Sequence, residues 1–171
     1  MGPAMNIVLV EPEIPPNTGN VARLCAATNS RLHLIEPLGF GLDDAQLRRA
    51  GMDYWEQVQW RRWPNWAAFQ AQLAPGAGLW LVESGGPLRF TEARFQPEDY
   101  LVFGRETAGL PRALLEAHRQ RWLRIPMFNA QARSLNLSNC VAVVLFEALR
   151  QQGFAGELTY PSAAPLRRGG R

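Results

Sequence analysis

Apolar and polar positions follow two alternating periods along this chain. NIVLV, residues 6–10, is a continuous apolar run short enough for a strand covered on both faces. EPEIPPNTGN, residues 11–20, carries no period and three prolines, and reads as a rigid loop. Asn17 to Asn20 make the turn that starts a helix, where Val21, Leu24, Cys25 and Thr28 recur at i, i+3, i+4, i+7 before Asn29 and Ser30 stop it. RLHLIEP, residues 31–37, predicts a second strand, ended by Pro37. The segment from Asp43 to Ala50 predicts a short basic helix closed by Gly51, and EQVQW, residues 56–60, another strand. Trp66 to Leu73 is helical again, with Pro75, Gly76 and Gly78 as breakers. LWLVES (79–84) and YLVFG (100–104) predict buried strands, Pro111 opens a helix over 111–118, and WLRIPM (122–127) is one more strand. A final helix runs from about Leu135 to Gln152.

This alternation predicts an α/β fold, a mostly parallel sheet with helices on both faces. Residues 1–153 are expected to form one domain, and 154–171, rich in Gly, Pro, Ala and Arg, a flexible basic tail. No internal repeat is present.

Composition narrows the class. At 47% hydrophobic and 19% charged, the chain is too apolar for a disordered one. The longest apolar run, CVAVVLF at 140–146, is far below the roughly 18 to 20 residues that cross a bilayer, so no membrane span is expected. MGPAM lacks the basic and apolar regions of a secretory leader, which makes the cytoplasm the expected compartment. Cys25 and Cys140 each sit inside an apolar helical pattern and read as core thiols. All 18 basic residues are arginine, against 15 acids, for a net charge of +3. Arginine forks onto phosphate and stacks on bases, so RNA or another polyphosphate is a reasonable partner.

In open parallel sheets ligands bind beyond the carboxyl ends of strands, which directs attention to four loops. They are EPEIPPNTGN, ESGGP (83–87), GRETAGLP (104–111) and FNAQARSLNLSN (128–139). None carries the phosphate loop GxxxxGK[ST], and no GxGxxG follows the first strand. His33 and His118 are the only histidines and lack metal-ligand spacing, so neither a metal site nor a Ser-His-Asp triad is expected. His33 reads as a core or edge histidine.

Read together, NTGNVAR (17–23), LVFGRETAGLP (101–111) and IPM (125–127) followed by RSLNLSN (133–139) resemble the three motifs of the SPOUT RNA methyltransferases. Within that class EPEIPPNTGN, RLHLIEPLGF and LRRAGMDY resemble the small TrmL-type tRNA wobble-nucleotide 2'-O-methyltransferases, over roughly Asn6 to Gly153. One residue more separates IPM from RSLNLSN than in that pattern. The resemblance implies S-adenosyl-L-methionine as methyl donor, S-adenosyl-L-homocysteine as product, and no metal. It implies as substrate the ribose 2'-hydroxyl of the first anticodon nucleotide, cytidine or uridine, in the anticodon stem-loop of certain leucine tRNAs. It also implies a deep C-terminal trefoil knot and a homodimer with active sites at the interface. The alternatives are a relative that methylates ribosomal RNA or another tRNA position, and a non-catalytic RNA-binding module.

By resemblance Val82, Gly104, Ile125 and Ser134 lead the cofactor contacts, followed by Leu135 and Asn136. Glu83, Ser84 and Met127 join them as strand-end positions where backbone groups become free. RSLNLSN opens the last helix, where Ser134 or Asn136 would serve as N-cap; Ser138 and Asn139 supply further polar groups for the RNA. Arg23 is the leading catalytic candidate, since it lies nearly opposite Val21, Cys25 and Thr28 on the helical wheel and faces away from the core. A guanidinium stays protonated at neutral pH, so Arg23 is expected to donate to the developing alkoxide or an adjacent phosphate rather than act as a base. Asn17 is expected to hydrogen-bond the ribose or support Arg23, with Asn20 beside it. Glu106, counted on both the catalytic and cofactor sides, is either an orienting partner for an arginine of the other subunit or an ordinary loop acid. Arg48, Arg49, Arg61 and Arg62 with Trp63 and Trp66 combine charge and aromatics suited to RNA, and Arg167, Arg168 and Arg171 offer a nonspecific electrostatic arm.

Overall fold

The computed structural model describes residues 4–41 and 54–159. Its strands are β1 (Asn6–Val10), β2 (Arg31–Ile35), β3 (Trp60–Trp63), β4 (Leu79–Val82), β5 (Leu88–Arg89), β6 (Tyr100–Phe103) and β7 (Trp122–Arg124). Its α-helices are α1 (Pro15–Thr28), α2 (Trp66–Ala71), α3 (Arg112–Ala117) and α4 (Leu137–Gln151). The strands form one sheet in the order β3-β2-β1-β6-β4-β7-β5, and every pairing is parallel. The chain builds outward from β1 to β3, then returns to the other side, so the order reverses between β1 and β6.

Alternate residues of the strands enter separate cores, as a period of two requires. Ile7, Leu9, Leu32, Leu34, Leu101 and Phe103 pack with Val21 and Cys25 of α1 and with Val141, Val144 and Leu145 of α4. Val8, Val10, Ile35, Leu81 and Val102 face the other way, against Phe69 of α2 and Leu115 of α3. Each such side chain, fully buried, contributes about 1.5 to 3 kcal/mol. Coverage on both faces explains why β1, β4 and β6 read as unbroken apolar runs.

His33 lies in this interior, as expected. Its Nδ1 accepts from Trp63 Nε1 at 3.1 Å, and its Nε2 lies 3.1 Å from Asn6 Oδ1. With Nδ1 accepting, Nε2 carries the proton and donates to Asn6, which is the neutral tautomer. Burial, aided by Arg31 and Arg61, pushes the His33 pKa down to about 4. Burial likewise pushes the Cys25 thiol up to about 12, so it is a core thiol with no thiolate at neutral pH.

Several boundaries differ from expectation. The first helix begins at Pro15, with prolines at its first two positions, so Asn17 to Asn20 lie inside it instead of forming a turn ahead of it. EQVQW is not a strand: Trp55–Gln57 is a 3-10 turn, and the strand is the following WRRW. The strand expected over WLRIPM stops at Arg124, Pro111 precedes its helix as cap, and the last helix starts at Leu137 after Asn136. β5, two residues long, was not expected at all. The basic helix at 43–50, with Arg48 and Arg49, and the tail arginines fall outside the described residues.

Candidate active site at the carboxyl edge of the sheet

A cavity of about 1240 Å³ opens beyond the carboxyl ends of β4, β6 and β7. Its walls come from all four expected loops: Ile14 and Asn17, then 82–85, then 103–109, then 124–130 and 133–137. It lies beside the reversal in strand order, where open parallel sheets place ligands. Val82, Glu83, Ser84, Gly104, Glu106, Ile125, Met127, Ser134, Leu135 and Asn136 all line it.

The loop after β6 folds back on itself. Arg105 and Gly109 exchange backbone hydrogen bonds at 2.9 and 3.3 Å. A Cβ on Gly104 would sit inside the backbone of Gly109 and Leu110, and one on Gly109, at φ +66°, would strike the Glu83 carboxylate. Only glycine permits both approaches. Glu83 Oε2 accepts the Leu110 amide at 3.0 Å while Oε1 accepts the Ser84 amide at 2.8 Å, tying the loop after β4 to the loop after β6.

Glu106 has a role that neither reading of the sequence named. Its carboxylate accepts the amides of Glu13 at 2.8 Å and Ile14 at 3.0 Å, and the Asn17 side-chain amide at 3.4 Å. The residue before α1, Ile14, has no side-chain cap of its own. Glu106 therefore caps α1 from the far loop and sets a negative charge against the positive end of the helix dipole. The contact is reciprocal: Glu13 accepts the amide and hydroxyl of Thr107, and Arg105 pairs with Glu11 at 2.6 Å. Those bonds from Thr107 hold the Glu13 carboxyl below its ordinary value. Glu11 adopts φ 52° to make the turn out of β1. The alternating acids of EPE were the one signal in the sequence for this clasp.

Asn17 joins the third motif to the other two. Buried at the cavity wall, it donates to Glu106 and its Oδ1 accepts from Asn136 Nδ2 at 2.9 Å. Asn136 Oδ1 in turn accepts the amide and hydroxyl of Ser138, so Asn136 is the N-cap of α4. Asn139 is exposed on the same first turn.

The wall formed by 126–136 is open. Its bonds are mostly internal, Gln131 to Asn129 and Arg133 to Ala130, and Phe128 is 98% exposed. The amides of Met127, Phe128 and Leu135 donate to no group among the described residues. Arg89, Arg105, Arg124 and Arg133 add cations to the lining; Arg105 and Arg133 lie inside the motif segments, while no sequence signal marked Arg89 or Arg124. Free amides, an apolar floor of Val82, Phe103 and Leu137, and nearby guanidiniums suit a ligand with a heteroaromatic base and a carboxylate. Cys140 also lines the cavity, but burial first and Glu83 second push its pKa up. No cluster of acids, histidines or cysteines fit to hold a metal ion occurs among the described residues.

Arg23 is not brought to this chain's own cavity. It is exposed on α1, with its guanidinium 5.2 Å from the Tyr54 ring centroid. Asn20 is exposed one turn earlier. Of the expected aromatics, Trp63 is buried and Trp66 partly so against the α2 core, while Trp60, not expected, is the exposed one.

A parallel α/β sheet with a glycine-tight, amide-lined cavity at the carboxyl ends of its strands is the arrangement in which open α/β proteins hold their ligands. The chain belongs to the SpoU rRNA Methylase family, whose pattern matches residues 4–146. A tRNA (cytidine(34)-2'-O)-methyltransferase of Burkholderia pseudomallei (strain 1106a) is 58% identical over 154 residues, covering 88% of this chain and 97% of the relative. A solved structure described as giving structural insights into the 2-OH methylation of C/U34 on tRNA aligns with a TM-score of 0.82 at 46% identity, over 88% of this chain and 97% of its own. The AdoMet-bound rRNA methyltransferase of Sinorhizobium meliloti aligns with a TM-score of 0.76 at 25% identity, over 88% of this chain and 57% of its own.

Proposed function

We propose that this protein is an S-adenosyl-L-methionine-dependent tRNA methyltransferase that modifies the ribose 2'-hydroxyl of the wobble nucleotide, cytidine or uridine, in leucine isoacceptors. The observation that carries the reading is the convergence of the three motif segments on one cavity, with Asn17 bonded to both Glu106 and Asn136. The high identity to a relative named for position 34, over nearly its whole length, supports the substrate.

When bound, the cofactor supplies a methyl group on a cationic sulfur. The free amides of Met127 and Leu135 would hold its polar atoms, and the apolar floor would hold its rings. Glu106 and Asn136 fix the side chain of Asn17, so its remaining hydrogen-bonding capacity is aimed at the ribose. Arg23 supplies a permanent cation for the alkoxide that develops as the hydroxyl loses its proton.

Because Arg23 points away from its own cavity, the complete site needs a second copy of the chain. Val143 and Phe146 on the outer face of α4 are 38% and 48% exposed, an apolar stripe suited to such a dimer. The trefoil knot implied by the resemblance belongs to the same proposal. Among the described residues no helix is long and apolar enough to cross a membrane.

The test is to incubate the protein with total RNA from a strain lacking it and with methyl-labelled S-adenosyl-L-methionine, then separate tRNA from ribosomal RNA and identify the labelled nucleoside by mass spectrometry. The expected product is 2'-O-methylcytidine or its uridine counterpart at position 34. Label confined to ribosomal RNA would move the substrate to the rival reading, and absence of cofactor binding in titration calorimetry would leave an RNA-binding module. Arg23→Ala should abolish turnover with cofactor affinity retained; retained turnover would remove Arg23 from the mechanism.

A further inference from the structure

The edge strand β3 has three exposed residues, Trp60, Arg61 and Arg62, and one buried, Trp63. Register places Trp60 opposite Leu32 and Arg62 opposite Leu34. Leu32 and Leu34 belong to the core under α1, so Trp60 and Arg62 stand on the α1 side of the sheet, while Arg61 and Trp63 face α2. On the α1 side Trp60 packs on Trp55, with ring centroids 4.4 Å apart and planes 36° from parallel. Tyr54 is the neighbour of Trp55 and carries the Arg23 guanidinium over its ring at 5.2 Å. The face therefore presents Tyr54, Trp55 and Trp60, with Arg23 against Tyr54 and Arg62 on the same strand as Trp60.

Two observations say that this face is more than a cover for the core. Trp60 leaves 36% of its surface in water at the sheet edge. Its setting also carries arginine: Arg62, with 54% of its side chain exposed, pairs with Glu36 at 3.5 Å, and the exposed Arg23 lies on the same side over Tyr54. Aromatic faces interleaved with arginine suit unpaired nucleotides, because every base has a face to stack and every linkage a phosphate to neutralise.

We infer that Tyr54, Trp55 and Trp60, with Arg23 and Arg62, form a stacking platform for the unpaired nucleotides that flank the methylated ribose in the substrate RNA. This rests on the proposed function, since Arg23 is the residue shared by the platform and the ribose. The platform of one protomer then serves the cavity that its Arg23 completes on the other.

The experiment measures KM for tRNA and the Kd of an unmodified anticodon stem-loop RNA for wild type, Trp60→Ala, Trp60→Leu and Trp60→Phe, with S-adenosyl-L-methionine affinity and Tm as controls. Leucine keeps the apolar cover over Leu32 but has no π face; phenylalanine keeps the face. The expected result is a rise of about tenfold in KM and Kd for the alanine and leucine variants, restored by phenylalanine, with cofactor affinity unchanged. KM and Kd within twofold of wild type for Trp60→Leu would overturn the platform, and a changed oligomeric mass with RNA affinity intact would make the face a protein contact instead. If the substitutions unfold the chain, wild type is crosslinked to the stem-loop with 4-thiouridine beside the target; crosslinks in the peptide spanning 54–63 support the platform, and crosslinks only elsewhere overturn it. Failure of the wild type to methylate tRNA would sink the proposed function, whereas normal methylation with an indifferent Trp60→Leu would sink only this inference.

Discussion

The cavity has two walls of opposite character. On one side the segments 11–17 and 104–110 are bound to each other by Glu106 on the amides of Glu13 and Ile14, Glu13 on Thr107 and Arg105 on Glu11, and Glu83 ties Leu110 to the loop after β4. On the other side 126–135 bonds largely within itself, leaving Phe128 in water and the amides of Met127 and Leu135 without partners among the described residues. The braced wall has the carboxylates of Glu11, Glu13, Glu83 and Glu106 and the guanidinium of Arg105 committed before any ligand arrives, so it can position. The open wall keeps its groups for the ligand, so it can bind and rearrange. Asn17 to Asn136 is the direct bond between them.

The largest effect should come from Gly104→Ala, because the added methyl meets backbone rather than a movable side chain. A loss of about 3 kcal/mol in urea unfolding, with cofactor binding abolished, is expected; a variant of native stability would show that the braced wall is softer than described. Acid separates the wall from the interior. His33 is neutral in the fold, with a pKa of about 4 against the ordinary 6.5, so the unfolded chain takes up the proton first as pH falls. Stability from this group is complete above about 6.5 and declines to a loss of about 3 kcal/mol near pH 4. His33→Gln should flatten that limb of the stability curve. Glu13 acts lower: its carboxyl is held below the ordinary 4.5, so the clasp persists above that value and is lost as pH falls through the lower one. Amide shifts followed by NMR should then move at Thr107 and not at 126–135.

Glu106→Ala should cost about 2 kcal/mol, the loss of a helix cap plus stranded amides. It should fray the first turn of α1 in hydrogen exchange while leaving 126–135 unchanged. Equal disturbance of both walls would break the distinction. The smallest effect belongs to the open wall: Phe128→Ser should change stability by less than about 0.5 kcal/mol, since so exposed a ring makes little contact to lose. Any change in cofactor or RNA affinity would then report on binding alone.

Much of the framework was legible because it depends on neighbours along the chain. The buried runs at NIVLV, LWLV and YLVF, the helix face of Val21 and Cys25, and the polar loops at strand ends are read from periods of two and 3.6 that covalent geometry imposes locally. EQVQW misled because its one buried residue, Val58, belongs to a turn, while the real strand, WRRW, is a charged edge whose exposure hides its period. β5 has only two residues and exists because Gly86 lets the chain lie against the backbone of Leu123 and Arg124.

The start of α1 marks the division most clearly. By itself the amino-acid sequence determined the α/β order, the faces of the elements, and the four loops that would share one end of the sheet. It placed no cap before Pro15, because the cap is Glu106, separated from Ile14 by 92 positions. Tertiary structure alone decided that Glu106 serves α1, that Asn17 links the three motifs, that Trp60 and not Trp63 is exposed, and that Arg23 turns from its own cavity. Each of these depends on which distant segments the strand order makes neighbours, and strand order is settled by the packing of the whole sheet rather than by any local preference.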